Sequence, residues 1–252
     1  MRILVTNDDG FDSPGLKTLR DIALNFSDDV WVVAPEVDQS GAAHSLTLRE
    51  PLRMKQWEER LYAVRGTPAD CVIMGIRLVL KDKRPDLVLS GVNRGANMGE
   101  DITYSGTVAG AIEGTLMGIR SIAFSQASAL SRPGGPAWQT ALRHGPTVIE
   151  RLLDEAWGEG VFMNVNFPDR EPDEIEGVQI TRQGRRSHDR LNIDERHDTW
   201  NQPYYWLAYE FKHVPPPEGT DINAVHNGFI SVTPLSIDFT ADAVRQSMQT
   251  RY

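Results

Sequence analysis

The chain is poor in the residues that make disulfides, soft-metal sites and membrane anchors. Its single cysteine, Cys71, excludes an internal disulfide and leaves too few thiolates for a structural zinc site. Six histidines (His44, His144, His188, His197, His213 and His226) are scattered, with no pair at ligand spacing. No apolar run reaches membrane-spanning length, and the N-terminus lacks the apolar stretch of a secretory signal. Positive charge is in the minority, with 26 Lys and Arg against 35 Asp and Glu and a net charge of −9. Such a balance argues against tracking the phosphates of a nucleic acid polymer. Three catalytic signatures are also missing: no G-x-G-x-x-G follows the first strand, and neither a P-loop nor a G-x-S-x-G elbow occurs. The expectation is a cytoplasmic protein whose partners are neither membranes nor nucleic acid polymers.

What is present is an alternation of apolar strands and amphipathic helices over 252 residues. Strands are expected at 2–5, 30–34, 86–90, 121–125 and 161–166, and a late one at 229–233 before Pro234. Helices are expected at 14–27, from Thr67-Pro68 through Leu80, from Ser105 onward and at 137–154. Thr67 suits an N-cap, with Pro68 at the first helical position. Gly106, Gly110, Gly114 and Gly118 recur every four residues and so share one helical face, which suits close packing against a sheet. The fold class is therefore α/β, with a mostly parallel sheet covered by helices on both faces. The whole chain, 1–252, reads as one domain, with a core through about residue 180. Beyond it, residues 182–215 mix Arg182, Arg185, Arg186, Arg190 and Arg196 with acidic residues and Tyr204-Tyr205-Trp206. That pattern suits a projecting hairpin or subunit contact.

The chemistry gathers on three irregular stretches, each following an expected strand: Asp8-Asp9, Ser40-Gly41, and the run Gly91-Val92-Asn93-Arg94-Gly95-Ala96-Asn97-Met98-Gly99. In a parallel sheet these open on one rim, where ligands bind. Adjacent carboxylates repel unless a cation or a shared proton sits between them. Two carboxylates, a hydroxyl and a carboxamide suit a hard divalent cation such as Mg²⁺ or Mn²⁺. Ser105-Gly106-Thr107 sits at a helix start, where free N–H groups favour phosphate. Asn97 can donate from the glycine-rich loop, and His44 is the one histidine placed near this rim. Singly, each residue also fits a plainer role: N-cap, left-handed turn or loop residue.

Taken together, these stretches resemble the SurE (survival protein E) family of metal-dependent nucleotidases. The matching text is Asn7-Asp8-Asp9-Gly10, Ala34-Pro35 with Ser40-Gly41, Gly66-Thr67-Pro68-Ala69-Asp70, Ser90 through Gly99, and Tyr104-Ser105-Gly106-Thr107-Val108. It ends with Gly219-Thr220-Asp221 and Ser231-Val232-Thr233-Pro234-Leu235. The resemblance implies one divalent metal ion per subunit on Asp8, Asp9, Ser40 and Asn93, and phosphate contacts from Asn97, Ser105, Gly106 and Thr107. It also implies a Rossmann-like core, a protruding hairpin and a C-terminal extension used in homodimers or homotetramers. The expected activity is hydrolysis of nucleoside 5′-monophosphates by metal-activated water, with Asp8 and Asp9 as catalytic residues. Action on 3′-monophosphates and short polyphosphate is left open. An aspartyl-phosphate mechanism wants Asp-x-Asp, whereas the spacing here is Asn7-x-Asp9 or Asp8-x-Gly10. A nucleotide-binding regulator without turnover is the rival from another class.

Overall fold

The computed structural model describes residues 1–128, 136–186, 191–209 and 215–251. His188, Arg190 and His213 lie outside the described residues. The chain opens with β1 (Ile3–Thr6), four fully buried residues, and α1 (Pro14–Ala23), capped by Ser13. β2 (Val30–Pro35), β3 (Arg53–Glu58) and β4 (Leu61–Arg65) lead to α2 (Pro68–Met74). Thr67 and Asp70 form a reciprocal capping box there, as the Thr67-Pro68 pair suggested. A π-helical turn at Gly75–Val79 then extends the helix toward Leu80. β5 (Leu87–Arg94), α3 (Gly106–Leu116), β6 (Arg120–Gln126), α4 (Trp138–Asp154) and β7 (Val161–Phe167) complete the alternation. The remainder is β8 (Gly177–Ile180), β9 (Leu191–His197), β10 (Pro203–Tyr209), α5 (Asp221–His226), β11 (Phe229–Ser236) and α6 (Asp242–Gln249).

Nine strands form one sheet in the order β3-β4-β2-β1-β5-β6-β7-β11-β8, and β9 and β10 form a separate antiparallel hairpin. The run from β4 to β7 is parallel throughout. β3 and β11 alone pair antiparallel within the large sheet, at β4 and β7. Side-chain alternation divides the core: Ile3 and Val5 point to the α1 and α4 face, while Leu4 joins Val72 of α2 and Ile76 of the π-helical turn on the other. α3 covers that second face, with Val108 and Ala111 packing near Ala123 and Phe162. β11 runs through Pro234, where the sequence suggested a stop. The ladder to β8 ends at Val232, so Pro234 lies opposite Met163 of β7 with no partner strand on its other side among the described residues.

The register positions the site. Val5 of β1 lies beside Val32 of β2, and Thr6 lies beside Ser90 of β5. The segments leaving these three strands therefore emerge side by side at the carboxyl rim, where the chain turns outward in both directions from β1. The glycine face of α3 sets how closely that helix sits. A Cβ on Gly110 would lie 2.6 Å from Ser90 Oγ and 3.0 Å from Thr6 Cγ2, and one on Gly114 would lie 2.9 Å from Val88 Cγ2. Gly118 differs from the other three: at φ +72° it ends the helix in open space, with the Ile119 N–H bonded back to the Gly114 carbonyl.

In an exposed helix, Gly→Ala stabilises by ~1 kcal/mol. Here the sign reverses. Gly110→Ala is expected to lower the unfolding free energy by about 1–3 kcal/mol through overpacking, measured by urea denaturation. A gain in stability would contradict the close packing described.

Candidate functional site at the carboxyl rim

Asn7 shapes the first loop. Its Nδ2 donates to the Gly10 carbonyl (2.9 Å) and to Ser13 Oγ (2.7 Å), tying the acidic turn to the start of α1. Gly10, at φ +96°, lets the following loop pack on it at Val37 and Asp38. The Gln39 N–H then donates to the Asp8 carbonyl (2.8 Å), and the Ser40 N–H donates to Asp38 Oδ1 (2.7 Å). Backbone contacts thus bring Ser40 beside Asp8.

Asp8 is 4% exposed. The Thr107 hydroxyl donates a hydrogen bond to its Oδ1. The first turn of α3 presses against it so closely that a Cβ on Gly106 would lie 2.7 Å from Asp8 Cβ and 3.0 Å from Oδ2. Ser105 caps the helix by accepting from the Val108 N–H (3.1 Å). Burial pushes the Asp8 pKa up from 3.8 to about 6; the neighbouring Asp9 charge adds to this, and the Thr107 hydrogen bond opposes it. Asp9 is also raised, first by burial and then by Asp38, against the pull of the Arg94 N–H on its Oδ2 (2.8 Å).

A cavity of about 450 Å³ opens here, lined by Asp8, Ser40, Asn93, Asn97, Ser105 and their neighbours. Arg94, Asp101, Tyr104 and Arg186 complete its wall. Of the expected site residues, five share this lining. Asp9 borders an adjoining cleft with Asp38, and Arg94 lines both. Gly106 and Thr107 are buried beneath Asp8, so Thr107 presents its hydroxyl to the carboxylate. His44 stands apart, its Nε2 2.9 Å from Glu113 Oε2 on α3. A separate cavity of about 460 Å³ between α4, β8 and β11 is mostly apolar and brings together no comparable set of acids and amides.

The far wall is held by contacts that local sequence did not reveal. The Asn97 N–H donates to Asn166 Oδ1 (2.8 Å), its Nδ2 donates to Ser125 Oγ (2.8 Å), and its carbonyl accepts from Asn164 Nδ2 (2.8 Å). Asn93 Nδ2 donates to the Gly95 carbonyl (2.9 Å), which leaves Oδ1 as the acceptor of that amide. Arg186 pairs with Asp101 at 3.0 Å and was not a candidate on sequence grounds. More than 80 residues separate the two, and nothing local to either marks the pairing.

The donor set fits a hard divalent cation. Asp8 is buried, the adjacent Asp9 is half-buried, and among the described residues no basic side chain pairs with Asp8. No three His, Cys, Asp or Glu side chains cluster among the described residues, so hydroxyl and amide oxygens must complete the coordination. Ser40 and Asn93 line the same cavity and carry oxygens of this kind.

Without a cation, folded Asp8 binds more protons than unfolded Asp8 between about pH 4 and pH 6, so its ionisation destabilises the fold as pH rises. In EDTA, stability of the wild type relative to Asp8→Asn should fall by about 3 kcal/mol from pH ~4 to pH ~7, the equivalent of roughly two pKa units. Urea titrations across that range check it. A flat difference would contradict the burial of an unpaired carboxylate.

Comparison with known proteins points to one family. A sequence profile described as "Survival protein SurE" matches residues 3–190. A protein named 5′-nucleotidase SurE from Methylorubrum extorquens (strain PA1) is 56% identical over 240 residues, covering 95% of this chain and 94% of that one. One of the same name from Rhodopseudomonas palustris (strain BisB18) is 51% identical over 252 residues, covering 99% of each. The crystal structure of the SurE protein from Aquifex aeolicus superposes with a TM-score of 0.85 at 43% identity, covering 99% of both chains.

Proposed function

The chain belongs to the survival protein SurE family, and on that premise we propose that it is a metal-dependent 5′-nucleotidase, hydrolysing nucleoside 5′-monophosphates to nucleoside and inorganic phosphate. The observation that carries the reading is Asp8: a buried carboxylate without a basic partner among the described residues, beside a second acid and against the start of α3. One Mg²⁺ or Mn²⁺ per subunit would be held by Asp8, Asp9, Ser40 and Asn93. When bound, it supplies positive charge for the phosphoryl oxygens and activates water for attack.

The chain's own groups do the rest. The first-turn N–H groups of α3, the Ser105 hydroxyl and the Asn97 amide bind the phosphate, and the helix dipole favours its charge. Thr107 holds Asp8 in place from beneath. Asp9, the more exposed of the two acids, accepts the proton of the attacking water as the ester P–O bond breaks. The nucleoside 5′ oxygen leaves with that bond's electron pair and takes a proton from solvent. Asn97 and Ser105 both line the cavity, where each can donate to the phosphate. His44, bonded to Glu113, is assigned to the edge of the substrate site. The exposed Trp200, Trp206, Phe239 and Met248 on the hairpin and tail support assembly as a homodimer or homotetramer. The buried free thiol of Cys71 supports a cytoplasmic setting.

The test is phosphate release from 5′- and 3′-monophosphates and short polyphosphate in EDTA, Mg²⁺ or Mn²⁺. Release from 5′-monophosphates should require the metal and fall by about 10²-fold or more in folded Asp9→Asn, the scale of losing one charged transition-state contact. Release that survives both EDTA and the substitution would contradict the metal mechanism. Tight nucleotide binding with no release under any metal would favour a binding regulator.

A further inference from the structure

The Gly219-Thr220-Asp221 stretch has no part in the chemistry above, yet it is built into the site. Thr220 caps α5, and Asp221 is fully buried. Asp221 Oδ2 accepts from the Gly99 N–H at 2.9 Å, and Oδ1 accepts from the N–H groups of Gly184 (2.8 Å) and Ile222 (2.7 Å). Gln183 Nε2 donates to the Gly99 carbonyl at 2.8 Å, so residues from the C-terminal part of the chain hold both backbone groups of Gly99. Gly99 has φ +57°, and a Cβ there would lie 3.1 Å from Ile222 Cδ1, so the contact is close as well as polar.

Gly99 lies between two parts of the cavity wall. Asn97 stands two residues before it, and Asp101, Tyr104 and Ser105 follow. The same C-terminal segment grips the far side: the Arg186 N–H donates to Glu100 Oε2 (2.8 Å), and its guanidinium pairs with Asp101 (3.0 Å). Asp8, Asp9 and Ser40 sit on loops after β1 and β2, Asn93 is held in β5 by its pairing with Ser125 of β6, and among the described residues none of the four hydrogen-bonds to Asp221.

We propose that Asp221 is a positioning residue for the substrate wall: by fixing Gly99 it sets the spacing between Asn97 and Ser105, and so the fit of the nucleotide phosphate. The metal-holding side is set independently of it. This inference rests on the nucleotidase reading.

Asp221→Asn separates the two roles. The amide retains Oδ1 for Gly184 and Ile222, which keeps two of the three bonds, and turns an NH₂ toward the Gly99 N–H. The expected result is a rise in KM for a nucleoside 5′-monophosphate of about tenfold or more, the scale expected from misplacing a binding group by less than an ångström or so. The Mn²⁺ dissociation constant, measured calorimetrically without nucleotide, should stay within about twofold, since that change is small against an outer contact to a ligand. Amide exchange in a peptide covering residues 95–101 should quicken. If Asp221→Asn does not fold, Gln183→Leu removes the other hold on Gly99 and is read in the same three ways. An active wild type with unchanged KM in the folded variant overturns the proposal, as does a parallel loss of Mn²⁺ affinity. A wild type that releases no phosphate with any metal overturns the nucleotidase reading and this inference together.

Discussion

The structure turns on the contact between Asp8 and the first turn of α3. A carboxylate buried at the carboxyl end of β1 is costly unless something compensates its charge. The Thr107 hydroxyl and the N–H groups of the helix start provide part of that compensation, and the close approach exists because residue 106 has no side chain. Gly110 and Gly114 extend the same requirement along the helix, seating α3 on β1, β5 and β6. One helix face thus does two things: it covers the sheet, and it brings an anion-favouring helix end to the acid that needs a cation.

Around this contact the loops are fixed by hydrogen bonds that cross large sequence distances. Asp8 holds Gln39, which brings in Ser40; Asp9 holds the Arg94 N–H; Asn164 and Asn166 hold Asn97; and Asp221 holds Gly99. Burial raises the Asp221 pKa, while three backbone N–H groups pull it down, the signature of a carboxylate kept inside for its acceptors. Sites that bind a small anion depend on such supporting contacts, because a misplaced donor binds water as readily as phosphate. The acidic surface of the protein is no obstacle, since the positive charge at the site is local.

Much of this was legible in the sequence, for identifiable reasons. β1 and β2 are short β-branched runs ended by turn residues, and the Thr67-Pro68-Ala69-Asp70 start of α2 is a local signal read by local hydrogen bonds. The glycine period of α3 showed both the helix and its close packing. β8 and α6 were not singled out: β8 has only four residues, and α6 buries none of its side chains, so its pattern answers to nothing in this chain. Pro234 misled because a proline stops a strand only where a neighbour needs its N–H. The same limit applies at the site. Asp8, Asn93 and Ser105 sit at strand and helix ends and could be placed from the alternation alone. The His44 ring meets Glu113, a partner 69 residues away that nothing local to either residue marks. Arg186, Asn166 and Asp221 carry no local mark, because their roles exist only once distant segments pack.

The most direct test is a crystal structure with Mn²⁺ and inorganic phosphate, with the metal located by its anomalous signal. The account predicts one Mn²⁺ among Asp8, Asp9, Ser40 and Asn93, and a phosphate between it and the N–H groups at the start of α3, in contact with Asn97 and Ser105. A metal held elsewhere, or a phosphate that avoids the α3 start, would contradict it.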